Sequence, residues 1–256
     1  MSYKRDFFEQ RHDRTVSSAE LVLRVVWDLI GPIRSAVDVG CGVGTWLAVL
    51  KNYGASDVVG VDGRWVDPAL LRIPHDHFVP ADLSQPDALS SLLGNRTFDL
   101  GISLEVAEHL PRTAARKFIS ELARLSGCVL FSAAIPGQGG VNHLNEQWPD
   151  YWVTIFREYG FVPFDLIRPR IWQDRRVGLA YRQNALLFVS QDDERLPKLK
   201  AQSGFDRDSM LSVVHPDLWS QAHKPPSVRR ALVLLRGAIV RSVFSRFGAR
   251  RRDATA

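Results

Sequence analysis

The chain alternates between two periods of hydrophobic and polar residues, and it switches between them repeatedly. In residues 17–30, Leu21, Val22, Val25, Val26 and Leu29 fall at helical spacing. Ser17 and Glu20 fit a capping box, and Gly31-Pro32 stops the run, so a helix is predicted there. Residues 36–39 read as a strand and 45–53 as a helix. Residues 58–61 are a short apolar strand ending at Asp62, 77–80 a third strand and 98–103 a fourth. A helix follows from about residue 112 to 125, then a fifth strand at 129–134. Residues 146–159 read as a helix with Pro149 near its start and Gly160 at its end. Residues 161–167 and 184–189 supply two more strands with no clear crossover helix between them, which suggests a hairpin with an antiparallel last strand. The alternation predicts an α/β fold: a doubly wound, seven-stranded, mostly parallel sheet with helices on both faces. No internal repeat is present.

With 256 residues and 45% apolar content, the chain can bury a substantial core. Three segments are expected: an N-terminal helical segment (1–34), the α/β domain (35–190), and a linker with a basic helical tail (191–256). The linker reading rests on the polar composition of 191–226 and on Pro197, Pro216, Pro225 and Pro226. Two cysteines, Cys41 and Cys128, make no disulfide framework, which points to a cytoplasmic setting. The first residues lack the apolar stretch of a signal peptide, and no apolar run approaches the ~20 residues of a membrane span.

Charge changes the picture at one end only. From Lys224 onward there are nine Lys/Arg against one acid, Asp253. This gives +8 in a chain of net +5, so residues 1–223 carry −3 by formal count. Val228, Leu232, Leu235, Ile239 and Val243 follow helical spacing through that basic segment. The expected partner is an anionic membrane surface, with the protein peripheral at the inner face. Docking on the chain's own domain and contact with nucleic acid are the alternatives, and nucleic acid ranks lower.

The first strand leads into Val37-Asp38-Val39-Gly40-Cys41-Gly42-Val43-Gly44-Thr45-Trp46. Glycines at alternate positions make a tight turn in which backbone can press against a ligand. A dinucleotide fingerprint would read G-x-G-x-x-G, whereas this is D-x-G-x-G-x-G. Asp62 ends the second strand 18 residues past Gly44, where a carboxylate can accept from ribose hydroxyls. Asp82 follows the third strand, and Phe98-Asp99-Leu100 opens the fourth. The alternative for Asp82 is a turn residue or helix cap before Ser84-Gln85-Pro86. In this order the four signals resemble the class I S-adenosylmethionine-dependent methyltransferases, over about residues 35–190. The resemblance implies the Rossmann-like methyltransferase fold and S-adenosyl-L-methionine as cofactor. It places Asp38, Gly40, Gly42 and Gly44 at the methionine end, Asp62 at the ribose and Asp82 at the adenine.

Ser103-Leu104-Glu105-Val106-Ala107-Glu108-His109-Leu110 is similar to the ubiquinone-biosynthesis O-methyltransferases. Further likeness, to methyltransferases of bacterial polysaccharide clusters, rests on Pro136-Gly137-Gln138-Gly139-Gly140, on residues 142–149 and on Tyr181-Arg182-Gln183-Asn184. A hydroxyl acceptor needs a general base or a metal that lowers its pKa. Glu105, Glu108 and His109 follow the fourth strand and His143 follows the fifth, so all four can converge at one sheet edge. Two carboxylates and two imidazoles suit Mn²⁺, Fe²⁺ or Zn²⁺, with Mg²⁺ less natural. The E-x-x-E-H pattern resembles the ubiquinone-pathway enzymes and the small-RNA 2′-O-methyltransferases, in which it holds a metal. His143 as a metal-free catalytic base and a purely structural role remain open beside this. Trp148, Tyr151 and Trp152 are candidates for an acceptor wall or for core. The expected activity is O-methylation of a small-molecule or glycan acceptor, specifically a sugar hydroxyl of a glycan or glycolipid precursor. The rivals are an RNA 2′-O-methyltransferase and a non-catalytic cofactor-binding scaffold.

Overall fold

The computed structural model describes residues 5–85, 87–203 and 210–223, with the side chains of residues 5–14 excluded. The strands are β1 (Ser35–Val39), β2 (Asp57–Asp62), β3 (Phe78–Pro80), β4 (Leu100–Leu104), β5 (Cys128–Ser132), β6 (Phe161–Phe164) and β7 (Leu186–Ser190). The helices are α1 (Arg5–Ile30), α2 (Thr45–Asn52), α3 (Ala88–Leu93), α4 (Ala115–Leu125), α5 (Pro149–Glu158), α6 (Arg168–Ile171), α7 (Leu179–Asn184), α8 (Leu196–Ser203) and α9 (Pro216–Ala222). The strands form one seven-stranded sheet in the order β3-β2-β1-β4-β5-β7-β6. β7 runs antiparallel to both β5 and β6, and every other pairing is parallel. This is the doubly wound sheet with a terminal hairpin that the alternation implies.

The period of two decides which helix covers which face. Ala36, Val58, Leu100, Ile102, Leu130 and Leu187 point to the face covered by α1, α2 and α8. Their neighbours Val37, Val59, Val129, Phe131, Leu186 and Phe188 point to the face covered by α3, α4 and α5. With both faces buried, the central strands read as apolar runs rather than as alternation. Strand order reverses between β1 and β4, so their carboxyl ends open the crevice where ligands bind in such sheets.

Three features differ from the sequence reading. The first helix begins at Arg5 and not at Ser17, so Ser17 lies mid-helix and caps nothing. Its neighbour Ser18 is buried and accepts the Gly178 N–H at 2.9 Å, a partner 160 residues away. The helix expected from 146 starts at Pro149, whose missing N–H suits a first helical position. The polar stretch read as a linker is stitched onto the sheet unit as far as Leu218. Leu196, Leu199, Leu211, His215 and Leu218 are buried there. Arg168 holds the Leu211 carbonyl, and Gln183 donates to the Val213 carbonyl and accepts the His215 N–H. The described residues up to Leu218 form one compact unit. The helix expected at 227–247 and the rest of the basic tail lie outside the described residues. Among the described residues, no helix is long and apolar enough to cross a membrane.

Candidate functional site

The glycine turn sits at the carboxyl end of β1. Gly40, Gly42 and Gly44 all have positive φ (88°, 54° and 80°). At Gly40 a Cβ would lie 2.2 Å from Val106 Cγ2, so the β1 turn packs directly on the loop after β4. Gly42 is the opposite case. Nothing lies within 4 Å of where its Cβ would be, and its bare backbone faces open space.

Two carboxylates back this turn. Asp62 accepts the Gly42 N–H at 2.7 Å and the Gly63 N–H at 2.6 Å. Burial raises its pKa, and those two N–H groups with the Trp65 indole N–H oppose the rise. The Trp65 ring folds over Gly63, where a Cβ would come within 2.2 Å of it. Asp38 is 2% exposed, and its Oδ2 has no hydrogen-bond partner. Burial and then the Asp62 charge raise its pKa well above the usual range. A buried acid with an orphan oxygen beside an open glycine backbone fits S-adenosylmethionine. That cofactor brings an ammonium and a sulfonium to neutralise the acids and ribose hydroxyls to donate to them. Asp82 lies one residue past Ala81, whose N–H donates to the Asp62 carbonyl. Its exposed carboxylate is taken up by its own turn, accepting from the Ser84 N–H and hydroxyl and from the Gln85 side chain, which lowers its pKa. In this conformation it behaves as the turn residue that was its alternative reading.

A second cluster is built by the loops after β4 and β5. A 3-10 turn, Ala107–His109, carries Glu108 and His109. The Glu108 carbonyl accepts the N–H groups of Leu144 and Asn145, which brings His143 alongside. Glu108, His109 and His143 each place a ligand-capable atom within 4.8 Å of the others. The rings of His109 and His143 meet edge to face, with centroids 4.9 Å apart. Glu108 is 0% exposed and neither carboxyl oxygen has a partner. Burial, and then the charge of Glu105, pushes its pKa up to about 9. Burial and then the neighbouring His143 lower the pKa of His109. An unpartnered carboxyl beside two imidazoles is a donor set that fits a divalent ion of the Mn²⁺, Fe²⁺ or Zn²⁺ kind.

Glu105 does not join them. Its φ is 58°, and its N–H turns back to the Ser132 carbonyl. One carboxylate oxygen accepts from Asn184 at 3.0 Å and the other from Gln138 at 2.7 Å. It is therefore a bracing residue between the loops after β4 and β5 and the end of α7 rather than a fourth ligand. Trp152 is buried in the core at 2% exposure, while Trp148 is 41% exposed at the α5 start and Tyr151 lies under Arg112. The sequence reading assigned no role to Glu146, Gln138, Asn184 or Trp65. The first three stand inside the runs that carried the polysaccharide-cluster likeness.

Residues 36–126 match the family described as methyltransferase domain. Among curated protein sequences, none matches the chain. A sugar N-methyltransferase from a Streptoalloteichus species is similar in structure, with 18% identity and a TM-score of 0.56. The match covers 74% of this chain and 94% of that one. An S-adenosylmethionine-dependent methyltransferase from Archaeoglobus fulgidus is 18% identical, with a TM-score of 0.49 over 62% of this chain and 75% of that one. Magnesium protoporphyrin IX methyltransferase from Synechocystis, with bound S-adenosylhomocysteine, is 22% identical. Its TM-score is 0.46 over 72% of this chain and 87% of that one. Residues 36–126 carry a methyltransferase domain, and the glycine turn, the two acids behind it and the seven-stranded sheet fit S-adenosylmethionine as its cofactor.

Proposed function

We propose that the protein is an O-methyltransferase whose acceptor is a sugar hydroxyl of a glycan or glycolipid precursor. The observation that carries the reading is the Glu108–His109–His143 cluster, with both Glu108 oxygens unpartnered, on the loops after β4 and β5, the first of which packs against the glycine turn through Val106. S-adenosylmethionine supplies a methyl group already activated on sulfonium. The protein must align the acceptor in line with it and expose an acceptor lone pair. An amine needs only to lose a proton near neutral pH. A sugar hydroxyl needs a base or a cation to lower its pKa, and this cluster offers both. Glu108, His109 and His143 are the residues that would hold a divalent ion, and the ion would there make the hydroxyl more acidic. Without one, His143 would take the proton.

An RNA 2′-hydroxyl has the same chemistry, and the basic tail favours it. The −3 formal charge of residues 1–223 weighs against it, because nucleic-acid sites present a basic face. The +8 tail fits an anionic membrane surface better, and a lipid-carried glycan would be met there, on the cytoplasmic side. The test is to incubate the full chain with methyl-labelled cofactor and fractionated lipid, glycan and RNA extracts, with and without chelator. Label in the glycan or lipid-linked glycan pool, lost on chelation and restored by Mn²⁺, is the expected result. Label confined to RNA overturns the acceptor, and undiminished transfer after exhaustive chelation overturns the metal.

A further inference from the structure

The run Pro136-Gly137-Gln138-Gly139-Gly140 lies outside the glycine turn and supplies none of the Glu108–His109–His143 cluster. Its geometry is nonetheless specific. Glu146 Oε1 lies 2.8 Å from His143 Nδ1. The same carboxylate is fixed from below: Oε2 accepts the Gly137 N–H at 2.8 Å and Oε1 the Gly139 N–H at 3.1 Å. Gly140 completes the arrangement. A Cβ there would lie 2.1 Å from His143 Nε2 and 2.3 Å from Cε1, so the imidazole occupies the space that only a glycine leaves. Gln138 ties the loop down, donating to Glu105 at 2.7 Å and accepting from Asn184 at 2.8 Å.

We infer that Glu146 is the positioning residue of the acceptor site, and that the glycine run is the cradle through which it holds His143 with Nδ1 protonated and the Nε2 lone pair free. The argument is one of donors and acceptors. An ionised carboxylate only accepts, and this one already takes two backbone N–H groups, so the contact with His143 requires a proton on Nδ1. In a neutral imidazole the lone pair is then on Nε2, because the bond made by one ring nitrogen decides the state of the other. The His143 side chain is 12% exposed and Glu146 22%, so water competes weakly for the contact. Free imidazole side chains favour the opposite tautomer, with the proton on Nε2, which would point a donor where an acceptor is needed. The pair thus does for His143 what a buried carboxylate does for the histidine of a hydrolytic triad. It serves a proton-accepting Nε2 and a metal-ligating Nε2 equally.

The inference rests on the reading of His143 as the residue that meets the acceptor. Its test needs neither acceptor nor metal, so the two can fail separately. The full chain is labelled with ¹⁵N-histidine and studied with chelator present, at a pH above the imidazole range. Long-range ¹H–¹⁵N spectra then report which ring nitrogen carries the proton, and His143→Asn identifies the signals. Wild type should show His143 as the Nδ1–H form. Glu146→Ala should exchange the two nitrogen signals to the Nε2–H form. Gly140→Ala should do the same with Glu146 still present, because the new methyl displaces the ring rather than backbone. Calorimetry of S-adenosylmethionine binding should match wild type in both variants, since no cofactor-site residue is altered. A wild-type His143 in the Nε2–H form overturns the inference without any variant. So does an Nδ1–H form that persists in both Glu146→Ala and Gly140→Ala.

Discussion

Glu108→Gln is the perturbation that most sharply tests the acceptor cluster. Glu108 is fully buried, neither oxygen has a partner, and its pKa rises from 4.5 to about 9. The unfolded chain releases this proton near the ordinary carboxylate range, while the metal-free native protein keeps it up to about 9. Between those limits the native state binds one more proton than the unfolded state. Its stability is therefore full below the unfolded pKa and is lost as pH rises through the folded one. One proton corresponds to about 1.4 kcal/mol per pH unit, so roughly 3 kcal/mol disappears between about pH 6 and about pH 8. Glutamine has the shape of the protonated acid and cannot ionise. The buried amide costs about 1–3 kcal/mol at every pH, which leaves the slope untouched. Asp38 and Asp62 also have raised pKa values but remain in both proteins, while Glu105 is coupled to Glu108 by charge, so the difference in slope reports Glu108 together with its effect on Glu105. The assay is urea unfolding in chelator at several pH values. The variant should lose stability less steeply, by about one proton's worth. Excess Mn²⁺ should stabilise the wild type increasingly as pH rises and leave the variant unchanged. Equal slopes in chelator would refute the reasoning, since Glu108 would then ionise as readily in the native state as in the unfolded one.

Asp62→Ala should weaken S-adenosylmethionine binding by about 1–3 kcal/mol through lost polar partners, and Gly42→Val should abolish it, because its side chain would enter the open space that the turn presents. Calorimetry showing wild-type affinity in both would remove the glycine turn from the cofactor site. Gly40→Ala should destabilise the fold by more than ~1 kcal/mol, because φ is 88° and the new methyl would strike Val106. An unchanged urea midpoint would contradict that. Deleting residues 224–256 should leave cofactor binding intact and reduce sedimentation with anionic liposomes, an attraction of about 1 kcal/mol per nearby basic residue that salt screens. Liposome binding equal to that of the full chain would assign the basic residues to another partner.

The sequence by itself determined the sheet and the glycine turn. Positive φ favours glycine on local steric grounds, so Gly40, Gly42 and Gly44 at alternate positions are legible as a turn. Asp62 is legible because it follows an apolar strand in a repeating β-α unit. The late hairpin is legible because no helix of useful length separates 161–164 from 186–190, and α6 and α7 are indeed short. Tertiary structure alone decided the Glu108–His109–His143 cluster. Glu105 and Glu108 look equivalent in E-x-x-E-H, yet Glu105 is claimed by Asn184, 79 residues away, and Glu108 is left without a partner. The polar composition of 191–218 gives no sign that Arg168 and Gln183 wait to bind its backbone. Glu146 stands three residues after His143 with no helix to bring them together, and only the folded glycine run turns the two face to face. Local chemistry fixes backbone conformation and strand ends. The partners of a buried polar group come from distant segments, and burial is what makes those partners decisive.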